Sequence, residues 1–309
     1  VVELATNHAF VLLSNPKIHF DIFLPAKEIK TIKNGQLVVV NVVDWGDKKT
    51  NPTAELKEIL GYPGEHQAEI HSILAEYNFN NKFDKHIENA AKNIPSKITS
   101  DEIKKRRDFR NITTFTIDPY DAKDFDDALS IQQLENGNWE VGIHIADVSH
   151  FIHENDSIDK EAQERATSVY LPHTVLPMLP SRLSDNLCSL RAKVPRLAMT
   201  VSMEIENDWT IGKVAAFESV IEVRENLSYE DALDNPKFQY MIDLAEGLRR
   251  NEIRLNLNSA ELRPRVHEDE ISVNVKWPNK ATEMIETFMV ATNNSIGILL
   301  GEKNAPLPW

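Results

Sequence analysis

The sequence predicts an α+β chain: an N-terminal β-barrel of the OB type, then a larger domain of mixed sheet and helices. Three observations carry that expectation. Residues 1–62 hold short runs rich in Val, Ile and Phe between turn signals. A strand pattern at TTFTID and a hairpin pattern around Asn136-Gly137 follow. Helical spacing of apolar residues then marks 236–254 and 281–300. With 41% hydrophobic residues in 309, the chain can fill one large core or two ordinary ones.

In the first part, VVELAT, HAFVLLSN, FDIFLP and QLVVVNVVDW read as strands, separated by Asn15-Pro16 and Asn34-Gly35. Short strands at this spacing suit a small closed barrel, a fold that often presents a face to single-stranded nucleic acid. From LKEIL through residue 110 the pattern turns helical and polar. Ile70, Ile73, Leu74 and Tyr77 share one face, and 63–110 reads as a helical connector. The second domain is expected over 111–309. In TTFTID, Thr114, Thr116 and Asp118 alternate with Phe115 and Ile117. DALSIQQL and WEVGIHIADV form the hairpin, with Trp139, Val141, Ile143 and Ile145 on one face. DKEAQERATSVY reads as a helix, LAMTVSMEIE and GKVAAFESVIEV as strands. Two helices bury Phe238, Met241, Ile242, Ala245 and Leu248, then Met284, Ile285, Phe288 and Met289. The ending APLPW gives no capping signal, so the domain reads as cut short.

Composition excludes several classes. No run of apolar residues is long enough to span a bilayer, and VVELATNHAF lacks the features of a signal peptide. Cys188 is the single cysteine, which rules out an internal disulfide or a thiolate zinc cluster and suits a reducing, cytoplasmic setting. A net charge of −14 argues against a polyanionic partner only weakly, because basic residues cluster at 103–110, at Arg182, Arg191, Lys193 and Arg196, and at 248–254. Such runs read as solvated faces or as a local track for nucleic acid.

The stretch TFTIDPYDAKDFDDALS sets Asp118, Asp121, Asp124, Asp126 and Asp127 between two strands. A solvated turn is one reading, although Phe125 sits inside the run. A calcium loop of the EF-hand type fails on spacing, because Lys123 or Ala128 falls where an oxygen ligand is needed. A catalytic magnesium site fits the chemistry, since Mg²⁺ takes a few carboxylates and keeps places for water and phosphate oxygens. The residues alone leave the solvated turn and the magnesium site open.

The segments IDPYDAKDFDDA, VGIHIADVSHFI, SVYLPHTVLPMLPSRLSDNLCSLR and MIETFMVATN, in this order over about 111–300, resemble the ribonuclease II/ribonuclease R (RNB) family. Residues 1–62 are similar to the second cold-shock (OB) domain that precedes the catalytic domain there. The resemblance implies a processive 3′→5′ exoribonuclease that hydrolyses single-stranded RNA to nucleoside 5′-monophosphates with Mg²⁺, or Mn²⁺ in its place. It implies metal-site roles for Asp118, Asp124, Asp126 and Asp127, with Asp126 the critical one. Tyr170 matches a tyrosine that stacks on the 3′-terminal nucleotide, Glu286 a glutamate near the active site, and Leu257 a position where many relatives carry a second stacking Phe. Many relatives have an acid where Thr287 stands. The family's transition-state arginine lies downstream of residue 309, so this chain is expected to show little processive activity.

Other residues keep plain expectations. His144 and His150 read as structural histidines, Asp147 as a local hydrogen-bonding group, Cys188 as a small buried apolar residue, and Asp121 as a turn former. The competing class is a non-catalytic RNA-binding module, an OB barrel fused to a degenerate RNB domain. The presence of all four aspartates favours the enzyme. Without metal, so much like charge is expected to raise at least one carboxyl pKa.

Overall fold

The computed structural model describes residues 1–15, 17–47, 50–80, 82–171, 174–250, 259–267 and 270–305. They form two compact units, Val1–Phe83 and Asp84–Trp309. This division falls inside the stretch that the sequence presents as a connector.

The first unit contains strands β1 (Val2–Leu4), β2 (His8–Val11), β3 (Ile22–Pro25), β4 (Leu37–Asp44) and β5 (Thr53–Gly61), then helix α1 (His66–Glu76). The strands form one sheet in the order β1-β2-β3-β5-β4. Its two edges meet where Val2 N–H donates to Gln36 O (2.9 Å) and Gly35 N–H to Val2 O (2.8 Å), which curls the sheet on itself. Ala9, Val11, Ile22, Leu24 and Ala54 alternate into its core. Strand β5 corrects the sequence reading, which took LKEIL as the start of a helix. Register shifts between β4 and β5 interrupt the two-residue alternation. Cross-strand pairing such as Val38 with Ile59 outweighs local propensity there.

The second unit opens with helices α2 (Lys85–Asn93) and α3 (Ser100–Lys105) and the short strand β6 (Arg107–Asp108). Then come β7 (Thr114–Asp118), β8 (Asp127–Gln133), β9 (Trp139–Ala146), α4 (Ser157–Arg165), β10 (Val169–Tyr170) and β11 (Val175–Leu176). The chain continues through β12 (Pro195–Ile205), β13 (Ile211–Glu222), β14 (Glu225–Ser228), α5 (Tyr229–Asp234) and α6 (Gln239–Arg250). It reaches β15 (Glu261–His267), β16 (Glu270–Lys276) and α7 (Lys280–Glu302). Seven strands make the main sheet, ordered β14-β7-β8-β9-β12-β13-β6. Helices α6 and α7 cover one face, where Met241, Ile242, Met284 and Phe288 join Phe115, Leu129, Val141, Ile143 and Met203 in a single core. Asn279 caps α7 in a reciprocal box with Thr282.

The hairpin expected at Asn136-Gly137 joins β8 to β9, and Gly137 takes the positive φ (86°) that the turn demands. The helix read over DKEAQERATSVY is shorter than expected. It ends at Arg165, where Ala166 adopts a left-handed φ of 61°, and Val169–Tyr170 turns into a strand paired with Val175–Leu176. Helix α6 runs to Arg250, and 251–254 of that reading lie outside the described residues. Strand β14 and the β15–β16 hairpin had no counterpart in the sequence reading.

Two residues of the basic clusters are interior. Arg106 is buried and bonds Glu102 and Asp147, each at 2.7 Å. Arg196 is buried against the carbonyls of Ser189 and Pro195 and the Asn186 side chain. They tie segments together and present no charge to a polyanion. Among the described residues, no helix is long and apolar enough to cross a membrane.

Candidate metal centre

Asp118 ends β7 and Asp127 begins β8, so two adjacent antiparallel strands deliver both carboxylates to the same end of the sheet. The intervening residues 119–126 carry no regular structure and bring Asp126 alongside. One carboxylate oxygen each from Asp118, Asp126 and Asp127 lies within 4.8 Å of the others. Asp118 is buried, Asp127 half-buried and Asp126 exposed.

The electrostatics of this cluster follow from burial and crowding. Burial, then the charges of Asp126 and Asp118, push the Asp127 carboxyl up to about 7. Burial pushes Asp118 up to about 6, opposed by a hydrogen bond from Thr116 and helped by Asp126 and Asp124. Asp126 is also raised, by the protein around it and then by Asp124, though its exposure tempers the effect. The raised carboxyl expected of a metal-free cluster is therefore present.

The residues fit a hard divalent cation. All donors are carboxylate oxygens, and the buried Oδ2 of Asp118 has no hydrogen-bond partner. An unpartnered buried carboxylate oxygen is costly in a protein interior, and a cation removes that cost.

Asp124 stands outside the three-carboxylate group. Its Oδ2 accepts a 2.6 Å hydrogen bond from the Tyr170 hydroxyl, which holds the tyrosine's pKa up at about 12. Its charge still reaches the cluster, since it contributes to the shifts of Asp118 and Asp126. Tyr170 itself is 65% exposed, so its ring is open to a partner while its hydroxyl is tied to the acidic loop. Tyr170 lies past the end of α4 at Arg165, on the strand that pairs with β11.

Glu286 is exposed on α7 and is not one of the three clustered carboxylates, and Leu257 lies outside the described residues. Thr287, beside Glu286, is fully buried and donates its hydroxyl to Glu283 O within its own helix (2.7 Å). His144 is buried and structural, as expected. It bridges Thr200 Oγ1 (2.7 Å) and Ser130 Oγ (2.9 Å), and burial lowers its pKa to about 3. Asp147 makes its local bonds to Ser149 and His150 and adds the ion pair with Arg106. Cys188 is buried. Sequence reasoning missed the tie of Tyr170 to Asp124, which no periodicity signals across 46 residues.

The family model of the RNB domain matches residues 106–309, the larger part of the sequence. The chain belongs to the RNB family. A cold-shock domain model matches residues 10–84 of this RNB chain. Ribonuclease R 1 of Lactococcus lactis is 33% identical, an alignment spanning 93% of the chain and 38% of that relative. Mycoplasma genitalium RNase R, solved with ribose-methylated single-stranded RNA, superposes with a TM-score of 0.86 at 22% identity, over 98% of this chain and 52% of that one. The RNB chain thus spans about half or less of the length of these proteins. Yeast Ssd1, described as a pseudonuclease, shares the fold with a TM-score of 0.62 at 23% identity, covering 80% of this chain and 33% of Ssd1. The fold therefore does not distinguish nuclease from pseudonuclease; the residues at the site do.

Proposed function

We propose that the function served by this chain is divalent-metal-dependent 3′→5′ exoribonuclease action in the cytoplasm, processive on single-stranded RNA and releasing nucleoside 5′-monophosphates, with the 309 residues alone supplying the metal site and turning over weakly. The observation that carries this reading is the convergence of Asp118, Asp126 and Asp127 at one end of a rigid sheet. Their raised pKa values suit a site completed by cations. A pair of Mg²⁺ ions, or Mn²⁺ in their place, would supply an activated water and neutralise the charge that develops on the leaving oxygen. The chain's own residues do the rest. Asp118, Asp126 and Asp127 would hold the ions, and Asp124 is a proposed fourth ligand on the resemblance to the family. Asp124 adds a fourth negative charge and anchors Tyr170, whose exposed ring offers a stacking face to the terminal base. Stacking tolerates any base, as an enzyme that consumes RNA stepwise requires. Glu286 and Leu257 are proposed RNA contacts on the resemblance of their segments to the family. A relative named ribonuclease R and a structural neighbour solved with single-stranded RNA support RNA as the substrate.

The test is a long time course on 5′-labelled single-stranded RNA with Mg²⁺, comparing this chain with Asp126→Asn. Slow shortening from the 3′ end that is lost in the variant and in EDTA supports the proposal. RNA left intact by both proteins would mean that the aspartate cluster alone is not an active site, and RNA binding that ignores both Mg²⁺ and Asp126→Asn would replace the proposal with an RNA-binding module.

A further inference from the structure

The aspartate turn between β7 and β8 has no ladder of its own, so its shape has to be imposed by other segments. Mutual repulsion of the carboxylates opposes their convergence. The groups that touch the turn directly are neutral, the Ser189 hydroxyl and the Leu190 and Ala146 N–H groups.

Ser189, which is fully buried, uses both capacities of its hydroxyl. Its Oγ accepts from Phe125 N–H (3.2 Å) and donates to Lys123 O (2.7 Å), so it bridges the two peptide groups that flank Asp124. Leu190 N–H donates to Phe125 O (2.7 Å), and Ala146 N–H donates to Asp126 O (2.9 Å). The peptide groups on either side of Asp126 are therefore fixed as well. The bracket is itself held in place. Arg196 Nε donates to Ser189 O (2.9 Å), and Asn226 Nδ2 donates to both Leu190 O and Thr116 Oγ1, each at 3.0 Å. Asn226 thus ties the bracket to the strand that ends in Asp118.

We infer that Ser189 is the positioning residue of the metal centre: its hydroxyl sets the main chain of the Asp124–Asp126 turn so that the carboxylates are placed for a cation. This rests on the reading of the aspartate cluster as a metal site. Only Ser and Thr combine a donor and an acceptor on one short side-chain atom. Without the hydroxyl, Phe125 N–H and Lys123 O lose their shared partner and the turn relaxes under its own charge. The effect belongs to metal affinity, because the rest of the sheet does not depend on this contact. Groups that orient metal ligands from behind typically account for 10–100-fold in affinity.

The experiment is Mn²⁺ binding to the purified chain, read by the loss of free-ion electron paramagnetic resonance signal, beside thermal unfolding of the same samples. The proteins are wild type, Asp126→Asn, Ser189→Ala and Ser219→Ala. Ser219 is an equally buried hydroxyl, bonded to Thr200 Oγ1 and Ala198 O and away from the turn, so it controls for the cost of removing any buried hydroxyl. Ser189→Ala should bind Mn²⁺ about 10–100-fold more weakly, while Ser219→Ala should lose comparable thermal stability and keep its Mn²⁺ Kd. If Ser189→Ala binds Mn²⁺ as wild type does, the positioning role is wrong although the metal site stands. Equal binding by wild type and Asp126→Asn would remove the metal site and this inference with it. Should alanine prevent folding, Ser189→Cys under reducing conditions is close in volume and must show the same loss of affinity. Wild-type affinity in a folded Cys variant overturns the proposal.

Discussion

Replacing Asp127 by Asn in the metal-free protein should change how stability depends on pH, and the size of the change follows from the environment of that carboxyl. It rises from an ordinary 3.8 to about 7 in the fold. A raised acid favours the folded state while protonated, so its contribution is complete below 3.8 and is lost as pH rises through 7. At about 1.36 kcal/mol per pH unit of differential protonation, integration between pH 5 and pH 8 gives a loss of about 2–3 kcal/mol from this group. Asn has no proton to lose. The stability of Asp127→Asn relative to wild type should therefore improve by about 2–3 kcal/mol from pH 5 to pH 8, whatever the substitution costs at pH 5. Urea unfolding in EDTA at the two pH values measures this difference directly, and the baseline cost of the mutation cancels. Saturating Mg²⁺ should reverse the ranking at pH 8, because the cation stabilises the ionised wild-type cluster through binding. Parallel pH profiles for the two proteins in EDTA would refute the reasoning, since they would mean that the carboxyl titrates alike in the folded and unfolded chain.

Further outcomes follow from other contacts. Divalent-ion binding should weaken as pH falls from 8 to 5, because protons compete at Asp127 and Asp118, which titrate at about 7 and about 6; calorimetry in two buffers of different ionisation enthalpy should detect the released protons. Tyr170→Ala should weaken single-stranded RNA binding by about 1–3 kcal/mol, the worth of one stacked base, while Tyr170→Phe keeps most of that affinity in fluorescence anisotropy. Gly247→Ala should destabilise by about 1–3 kcal/mol in thermal unfolding despite alanine's helix propensity, because the added Cβ would clash with the Trp209 ring. Arg106→Met should cost about 3–5 kcal/mol in urea unfolding, since it strands the buried Asp147 carboxylate.

What the sequence made legible was whatever a local period or a compact motif encodes. The β8–β9 hairpin was readable because Asn-Gly turns dictate their own geometry, and α6 and α7 because Met241, Ile242, Met284 and Phe288 recur at helical spacing. Strand β5 was not, because bulges scramble the alternation that identifies a strand. Strand β14 is four residues long and pairs with β7 across more than a hundred positions, so nothing local marks it. In the metal centre, the run of aspartates announced itself, but its order did not. That Asp124 turns to Tyr170 while Asp126 joins Asp118 and Asp127 depends on hydrogen bonds from Ser189 and Leu190. A neutral serine in NLCSL carries no chemical label, and the sequence reading passed over it.

The register of β8 and β9 makes the two ends of one hairpin unequal as places to edit. At the far end, the turn at Asn136 and Gly137 lies on the surface, and a peptide spliced there lengthens a link between strands already paired from Gln133–Trp139 onward, at the cost of the exposed bond from Asn136 Nδ2 to Glu204. At the near end, Asp127 faces Ile145, while Phe115 faces Leu129 on the other side of β8. A residue inserted or deleted there can be absorbed by sliding the strand, which would send Asp127 to the opposite face of the sheet. The other outlet is the turn at 123–126, which Ser189 and Leu190 hold at a fixed length. Drift in loop length among descendants of this sequence is thus free at one tip of the ribbon and closed at the other, and an affinity tag or fluorophore belongs at Asn136-Gly137.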